Sequence, residues 1–286
     1  MATELEIKLT LSEAAQAKAL EWLLGRPEAS EGPRKTLVNR YYDTPDAALN
    51  RAKAALRVRQ AGDRFIQTLK TKGEFVDGAH RREEWEWEIP SKELDLTLLE
   101  QTPLNNQLDL SELQLAFETN FTRQIVMLKT ADAVIEVAVD AGDIIGGDGA
   151  RALHEVEFEL KSGNPEALMV WASALSREVP VFLNLVSKAE QGYHLAGIHL
   201  PALRQSAEVL SVTDFLHQLS LAWLIKAPVA FTTQSLAGVQ QLAGEMGLQH
   251  LWAQLMPELI RGLLVDDVVK KIPCLGEFQL AIASAS

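Results

Sequence analysis

Cysteine is almost absent from the chain, since Cys274 is the only one among 286 residues. A single thiol cannot form a disulfide within the chain, and no cysteine-based metal site can be assembled from it. No run of about 18 uninterrupted apolar residues occurs, and the N-terminus is a charged segment rather than an apolar leader. These absences predict a cytoplasmic protein with no helix that spans a membrane and no secretion signal.

Positive charge is scarce as well, because 27 lysines and arginines stand against 39 aspartates and glutamates, a formal net charge of −12. This balance argues against a nucleic acid or an anionic membrane as the main partner, since both are polyanions. A small anionic ligand stays compatible with it, because basic side chains can cluster locally in an acidic protein. The sequence also lacks a glycine-rich phosphate-binding loop of the G-x-x-x-x-G-K-[ST] type, which excludes that mode of phosphate capture.

The composition changes near residue 200, within the segment HLPALRQSAEVLSVTD. Alternating charged segments precede it, whereas the residues that follow are rich in Leu, Ala and Gln and read as helices. We therefore predict two domains, residues 1–200 and a small all-α domain at 201–286, which we call the tail.

Eight segments of the first domain alternate apolar and polar residues and are separated by short turns, which predicts antiparallel strands. They are residues 3–11, 36–44, 54–60, 64–73, 80–90, 120–130, 133–144 and 152–163. Helices are predicted at 13–25, at 164–178 and, after a cap at Ser187, at 187–197. The fold class is therefore α+β.

Charged residues fall on one face of nearly every predicted strand. In the first, Glu4, Glu6 and Lys8 lie opposite the apolar Leu5 and Ile7. Two arrangements follow: a barrel or sandwich with the charges in solvent, or a sheet curled around a polar interior with its apolar face against helices. The amphipathic helices need an apolar sheet face and suit the second arrangement, but periodicity alone leaves both open.

Nine segments in order resemble the motifs of the CYTH superfamily, the triphosphate tunnel enzymes, of the bacterial inorganic triphosphatase type. They are ELEIKL, which matches the family's ExExK motif, then YYDTP, LRVR, TLK, RREEWEWEI, TRQ, VDAGDI, HEVEFELKSG and SKAEQGY. The resemblance spans residues 2–200. It implies an eight-stranded antiparallel β-barrel with flanking helices and a charged tunnel, so that the charges face inward.

The resemblance also implies a ligand set for the tunnel. Lysines and arginines would hold the phosphates: Lys8, Arg57, Arg59, Lys70, Lys72, Arg82, Arg123 and Lys188. Carboxylates would hold Mg²⁺ or Mn²⁺, because both cations prefer oxygen ligands. The carboxylates expected to do so are Glu4, Glu6, Asp140, Glu155, Glu157 and Glu159.

The implied reaction is metal-dependent hydrolysis of inorganic triphosphate to pyrophosphate and phosphate. Lys8, Glu6 and Tyr41 are the expected catalytic residues, with Tyr42 the neighbouring alternative to Tyr41. Other readings are a thiamine triphosphatase, a CYTH-type adenylate cyclase, and a non-catalytic sensor of polyphosphate or nucleotide. The tail is expected to stay outside the chemistry, and to cover apolar surface on the barrel or pair two copies into a homodimer.

Overall fold

The computed structural model describes residues 2–76, 78–105, 109–203, 208–229 and 231–285. Within these ranges the chain forms ten strands: β1 (Ala2–Thr10), β2 (Ala29–Asp43), β3 (Ala55–Ala61), β4 (Arg64–Lys70), β5 (Glu74–Val76), β6 (Ala79–Ile89), β7 (Gln114–Lys129), β8 (Ala133–Gly146), β9 (Gly149–Gly163) and β10 (Phe182–Leu183). The α-helices there are α1 (Glu13–Leu24), α2 (Ala48–Arg51), α3 (Glu166–Glu178), α4 (Lys188–Leu195), α5 (Val212–Ile225), α6 (Ala237–Glu245), α7 (Gln249–Arg261), α8 (Val265–Lys271) and α9 (Leu275–Ala283).

Eight of the strands close into an antiparallel barrel, in the ring order β1–β9–β8–β7–β2–β3–β4–β6 and back to β1. The predicted barrel is therefore confirmed. The short β5 pairs with β6, and β10 pairs with β1 at Leu9 and Thr10. These two strands of three and two residues were not predicted, because so few residues show no periodicity.

The paired strands β2 and β7 are longer than their sequence patterns predict. The pattern begins at residue 36, whereas β2 begins at Ala29 and pairs with β7 across a register shift between Glu31 and Arg34. Gly32 and Pro33 fall inside this shift, which lets the strand continue through residues that ordinarily indicate a turn.

The direction of the alternating side chains decides between the two arrangements that periodicity left open. Ile7 and Leu9 of β1 are 1% and 0% exposed and lie in the main hydrophobic cluster outside the barrel, together with α1 and α3. A smaller cluster on the outer face of β3, β4 and β6 includes Leu56, Leu69 and Trp85. The apolar faces thus pack outward on helices, and the charged faces line the interior.

One end of the barrel interior is apolar rather than charged. Four inward-facing side chains from four strands form a cluster there that we call the plug, with Leu195 of α4 packed against it. The plug consists of Leu37, Phe121, Ile144 and Leu153, which are 0% to 3% exposed.

Helix α4 packs against β7, β8 and β9 beside the plug. It begins with the predicted cap, since Ser187 and Glu190 form a reciprocal capping box. Gly192 allows the close approach, because a Cβ at this position would lie 2.0 Å from a ring carbon of Phe117.

The tail is mostly helical, as predicted. Helix α7 ends at Arg261, because Gly262 caps it in a left-handed conformation with a φ of 74°, and α8 begins at Val265. Tail side chains such as Phe215 and Phe278 share one hydrophobic cluster with the barrel. The division into two domains stays a prediction, and residues 204–207 of the expected linker lie outside the described residues.

None of the described helices has the length and apolar character needed to cross a membrane.

Candidate functional site

The charged end of the barrel interior holds a cavity of about 630 Å³. Its described lining includes ten lysines and arginines and nine glutamates, so its net charge is close to zero. Such a lining differs from a simple anion-binding groove, which would be uniformly basic. The distribution of the two signs within the cavity therefore decides what it can bind.

Glu4 and Glu6 of β1 meet cations from β4 and β6. The Glu4 carboxylate accepts hydrogen bonds from Lys70 Nζ at 2.7 Å and from Arg82 Nε at 3.0 Å, and Arg82 also donates to Glu6. Burial raises the pKa of Glu4, but Lys70 and Arg82 outweigh it and hold this pKa at about 2. Both predicted carboxylates thus reach the cavity already paired with predicted phosphate-binding residues.

Lys8, the last residue of the ExExK motif, lies deeper in the cavity and is 4% exposed. Its Nζ donates to the carbonyl oxygen of Val186, just before α4. Burial lowers the pKa of Lys8, the charge of Lys188 lowers it further, and nearby glutamates only partly offset both effects.

Between the cavity and the plug lies a compact ion-pair network. Arg123 donates to both oxygens of Asp140, at 2.7 and 2.6 Å, and to Glu157 at 2.7 Å. Lys188 contacts Asp140, Glu155 and Glu157 at 2.6 to 2.9 Å. Asp140 and Glu155 are fully buried behind the cavity lining, whereas Glu157 lines the cavity itself. The two deep carboxylates compensate cations in this geometry, and their predicted role as metal ligands stays a prediction.

Arg57 and Arg59 of β3 form what we call the guanidinium wall. Arg59 Nε donates to the neutral side chain of Asn39 at 2.7 Å, and no described carboxylate lies within ion-pair distance of Arg59. Burial, followed by the charges of Arg57 and Arg123, lowers the pKa of Arg59 to about 9. Its positive charge is therefore poorly compensated.

The two adjacent tyrosines face opposite sides of β2. Tyr41 lines the cavity, and its hydroxyl accepts a hydrogen bond from Arg57 at 3.5 Å. Burial raises the pKa of Tyr41, but Arg57, Arg59 and Lys188 bring it below its ordinary value. Tyr42 is absent from the lining. Because side chains alternate along the strand, Tyr41 points into the cavity and Tyr42 points away from it.

Glutamates on and beside β9 form what we call the carboxylate wall: Glu6, Glu136 and Glu159. Burial, reinforced by Glu157 and Glu4, raises the pKa of Glu6 in spite of Arg82. Burial also raises the pKa of Glu159, helped by Glu4 and Glu136 and opposed by Lys161. Lys161 contacts Glu159 at 2.7 Å and Glu136 at 3.7 Å, and Arg82 contacts Glu6, so three carboxylates here share two cations. In the ring, β9 lies four strands from β3 in either direction, so the carboxylate wall faces the guanidinium wall.

The cavity contains residues that the sequence did not single out as site candidates. Glu84, Glu86, Glu136 and Lys161 share a strand face with chosen candidates, so alternation could have included them. Lys72, which was predicted, lies on the exposed stretch after β4 but still lines the cavity.

His80 also lines the cavity, although the sequence indicated a structural or surface histidine. Its Nε2 is buried and has no hydrogen-bond partner among the described residues. Burial, followed by the charges of Lys8 and Arg82, lowers the pKa of His80 to about 3, so the ring is neutral at pH 7.

Two residues of the tail reach the same cavity, although the tail is expected to stay outside the chemistry. Thr213 and His217 of α5 line it beside Leu185 and Ser187. No local sequence signal marks them, because they reach the cavity through the packing of α5 against the barrel.

The chemistry of the carboxylates suits a hard divalent cation, which takes carboxylate oxygens. Three carboxylates of the wall line one side of the cavity, and Arg82 and Lys161 are the described cations paired with them, which supports this fit. In the described part of the chain, however, no three acidic, histidine or cysteine side chains already converge as a metal-binding group. Binding of a cation would therefore draw carboxylates such as Glu4 partly away from Lys70 and Arg82.

Comparison with known families gives a match to the CYTH domain over residues 2–193. The chain belongs to the CYTH family. The matched residues contain the whole barrel and α4 up to Tyr193, and thus nearly every cavity residue named above. Thr213 and His217 lie beyond the CYTH match.

Among curated proteins, the CYTH chain is 35% identical over 204 residues to an inorganic triphosphatase from Haemophilus influenzae. The alignment covers 68% of this chain and 55% of that relative, so the chain spans about half the relative's length.

Among solved structures, HpAC1 from Hippeastrum, a candidate adenylyl cyclase with a dominant triphosphatase activity, is 22% identical with a TM-score of 0.50. It matches 69% of this chain and 98% of its own. The PH1012 protein from Pyrococcus horikoshii is 17% identical over 61% of this chain and 88% of its own, with a TM-score of 0.38. The Hippeastrum structure supports the shared fold alone.

Proposed function

We propose that this protein hydrolyses inorganic triphosphate to pyrophosphate and phosphate inside the barrel, with Mg²⁺ or Mn²⁺ as cofactor. The observation that carries the proposal is the polarity of the cavity: the poorly compensated Arg59 faces the carboxylate wall across the interior. A polyanion with bound divalent cations has the complementary arrangement, since its oxygens can meet arginine on one side and metal on the other. The 35% identity to an inorganic triphosphatase supports the same substrate.

The guanidinium wall supplies the phosphate contacts in this proposal. Arg57 and Arg59 offer planar donors for phosphate oxygens, and Arg59 does so without first leaving a carboxylate. Arg123 and Lys188, held in place by Asp140, line the cavity beside this wall and can donate further hydrogen bonds to phosphate oxygens. Lys70, Lys72 and Arg82 complete the predicted set nearer the carboxylates.

The cation is assigned to Glu4, Glu6 and Glu159, with Glu157 beside them. A bound Mg²⁺ or Mn²⁺ would neutralise phosphate charge and promote ionisation of the attacking water. Asp140 and Glu155 are better suited to hold Arg123 and Lys188 in place, because their carboxylates are already engaged.

Three side chains of this chain are assigned to the chemical step. Lys8 contacts the phosphoryl group being transferred and stabilises its developing charge. Glu6, on the same strand face, accepts the proton of the attacking water. Tyr41, held by Arg57, orients that water or the phosphate through its hydroxyl.

A substrate panel tests the proposal. Phosphate release is measured for tripolyphosphate, thiamine triphosphate, ATP and long-chain polyphosphate, each with Mg²⁺, with Mn²⁺ and with excess chelator. We expect tripolyphosphate with metal to give the highest kcat/KM. A preference for thiamine triphosphate, cyclic AMP formed from ATP, or binding without turnover would each replace the proposal by one of the alternatives. Full turnover in chelator would contradict the metal assignment.

A further inference from the structure

The segment Leu183–Ser187 runs from the end of β10 to the start of α4. It contacts Lys8 and directly precedes Lys188, and both lysines line the cavity. The side chain of Lys8 donates to the Val186 carbonyl, and the carbonyl of Lys8 accepts from Asn184 N at 3.2 Å. Ser187 caps α4, which carries Lys188 as its first residue. The position of this segment therefore sets where both lysines lie.

Two fully buried polar side chains of the tail bind the same segment. Ser220 Oγ of α5 accepts a hydrogen bond from Leu185 N at 3.0 Å. The side chain of Gln279 in α9 accepts from Leu183 N at 3.0 Å and donates to Leu183 O at 3.1 Å. The backbone on both sides of Asn184 is thus fixed by tail residues.

A hydrogen bond within α5 fixes the orientation of the Ser220 hydroxyl. Its hydroxyl donates to the carbonyl of Leu216, one turn earlier in α5, at 2.9 Å, so its proton is committed and its oxygen remains to accept from Leu185. The side chain of Val186 packs in a separate buried cluster with Leu221 and Leu224 of the same helix. Helix α5 therefore holds this segment by packing as well as by hydrogen bonding.

We propose that Ser220 and Gln279 are positioning residues that act through segment 183–187 on Lys8 and Lys188. The inference rests on the proposed function, because it assigns the tail a part in the same reaction. It replaces the expectation that the tail lies outside the chemistry. The presence of Thr213 and His217 in the cavity lining agrees with a tail that belongs to the catalytic unit.

The first test compares Ser220→Ala and Gln279→Met with Ser284→Ala. This is a matched control in the tail, because the exposed hydroxyl of Ser284, just after α9, donates to Ala281 O and is far in sequence from segment 183–187. We expect kcat for tripolyphosphate to fall about fivefold in each of the first two variants, the size of one net hydrogen bond. KM should stay within about twofold, because many cations share ground-state binding. An unchanged kcat in both variants would overturn the proposal.

A double-mutant cycle separates positioning from a general loss of stability. If Ser220 acts in part through Lys8, then Ser220→Ala should lower kcat by a smaller factor in a Lys8→Met background than in wild type. An equal loss in both backgrounds would show that the serine does not act through Lys8 and would contradict the proposed route.

Amide hydrogen exchange at residues 183–187 gives a readout that does not need activity. We expect faster exchange in Ser220→Ala than in wild type and no change in Ser284→Ala. Unchanged exchange in Ser220→Ala would overturn the inference even in an active enzyme. If the wild type hydrolyses no triphosphate, the proposed function fails, and faster exchange would still support the tail's hold on the segment.

Discussion

The two ends of the barrel interior are built from inward-facing positions of shared strands, yet they carry opposite chemistry. At one end the plug fills the interior with Leu37, Phe121, Ile144 and Leu153; at the other, lysines, arginines and glutamates surround a cavity of about 630 Å³. The boundary is sharp, because the charged groups of Arg123 and Lys188 lie 5.6 and 5.5 Å from the centre of the Phe121 ring.

The difference shows how a folded domain can remain stable although charged side chains line its interior. Buried charges are costly unless they are paired, and here Asp140 and Glu155 compensate Arg123 and Lys188 immediately above the plug. The plug and the outer hydrophobic clusters supply apolar burial, so the cavity is left to serve ligand binding. Substitutions at the two ends should therefore affect different properties.

The largest effect is expected from Lys8→Met at the cavity end. Removing the single lysine of β1 should lower kcat for tripolyphosphate about 10³-fold, because its charge acts on the transferring phosphoryl group. The variant should still unfold cooperatively. Lys129→Met, at an exposed position of β7, is the control and should retain wild-type turnover. A Lys8→Met enzyme with more than a tenth of wild-type kcat would remove Lys8 from the chemistry.

At the plug end, Leu153→Ala should lower the free energy of unfolding by about 3 kcal/mol, through lost burial and a residual cavity. Leu153 is 2% exposed, packs in the plug and is not part of the described cavity lining, so kcat per folded molecule should stay within about twofold. Urea unfolding and assays well below the unfolding midpoint measure the two quantities. Leu200→Ala, 74% exposed, should change neither. A large loss of kcat with little loss of stability would mean that the ends are not separable.

Acid should destabilise the cavity end through Glu4, whose pKa is lowered from 4.5 to about 2 next to Lys70 and Arg82 and near Glu6. A lowered folded-state pKa gives stability that is present above pH 4.5 and is lost as the pH falls towards 2. Between pH 5 and pH 3 this carboxyl should account for about 2 kcal/mol. Metal-free urea unfolding of wild type and Glu4→Gln should show a shallower acid decline in the variant. Parallel declines would mean that Glu4 is not ion-paired in solution.

The smallest effect is expected at the guanidinium wall. Arg59→Ala should weaken binding of a slowly hydrolysed triphosphate analogue about tenfold, and Arg59→Lys should weaken it less, because lysine keeps the charge but loses the planar donors. Calorimetry measures both affinities. Arg64→Ala, at an exposed position of β4, is the matched control. Equal affinity in wild type and Arg59→Ala would place the anion elsewhere.

Much of the site could be predicted from the alternation of residues, because a period of two places Glu4, Glu6 and Lys8 on one face wherever the strand lies. Alternation does not show how far a side chain lies from the cavity. Asp140 and Glu155 point inward like Glu157, but they are buried behind the cavity lining. Closure of the ring depends on the pairing of β1 with β6, a long-range contact that only the family resemblance indicated. The contribution of the tail arises from packing, and nothing in the residues around Ser220 marks it.

The central claim is that the cavity holds a triphosphate between a guanidinium wall and a metal-binding carboxylate wall. Anomalous diffraction from crystals soaked with Mn²⁺ and an imido-linked triphosphate analogue tests it most directly. The account predicts Mn²⁺ on oxygens of Glu4, Glu6 or Glu159 and phosphate oxygens within hydrogen-bond distance of Arg57 and Arg59. An analogue bound outside the barrel, or Mn²⁺ with no contact to Glu4, Glu6 or Glu159, would contradict it.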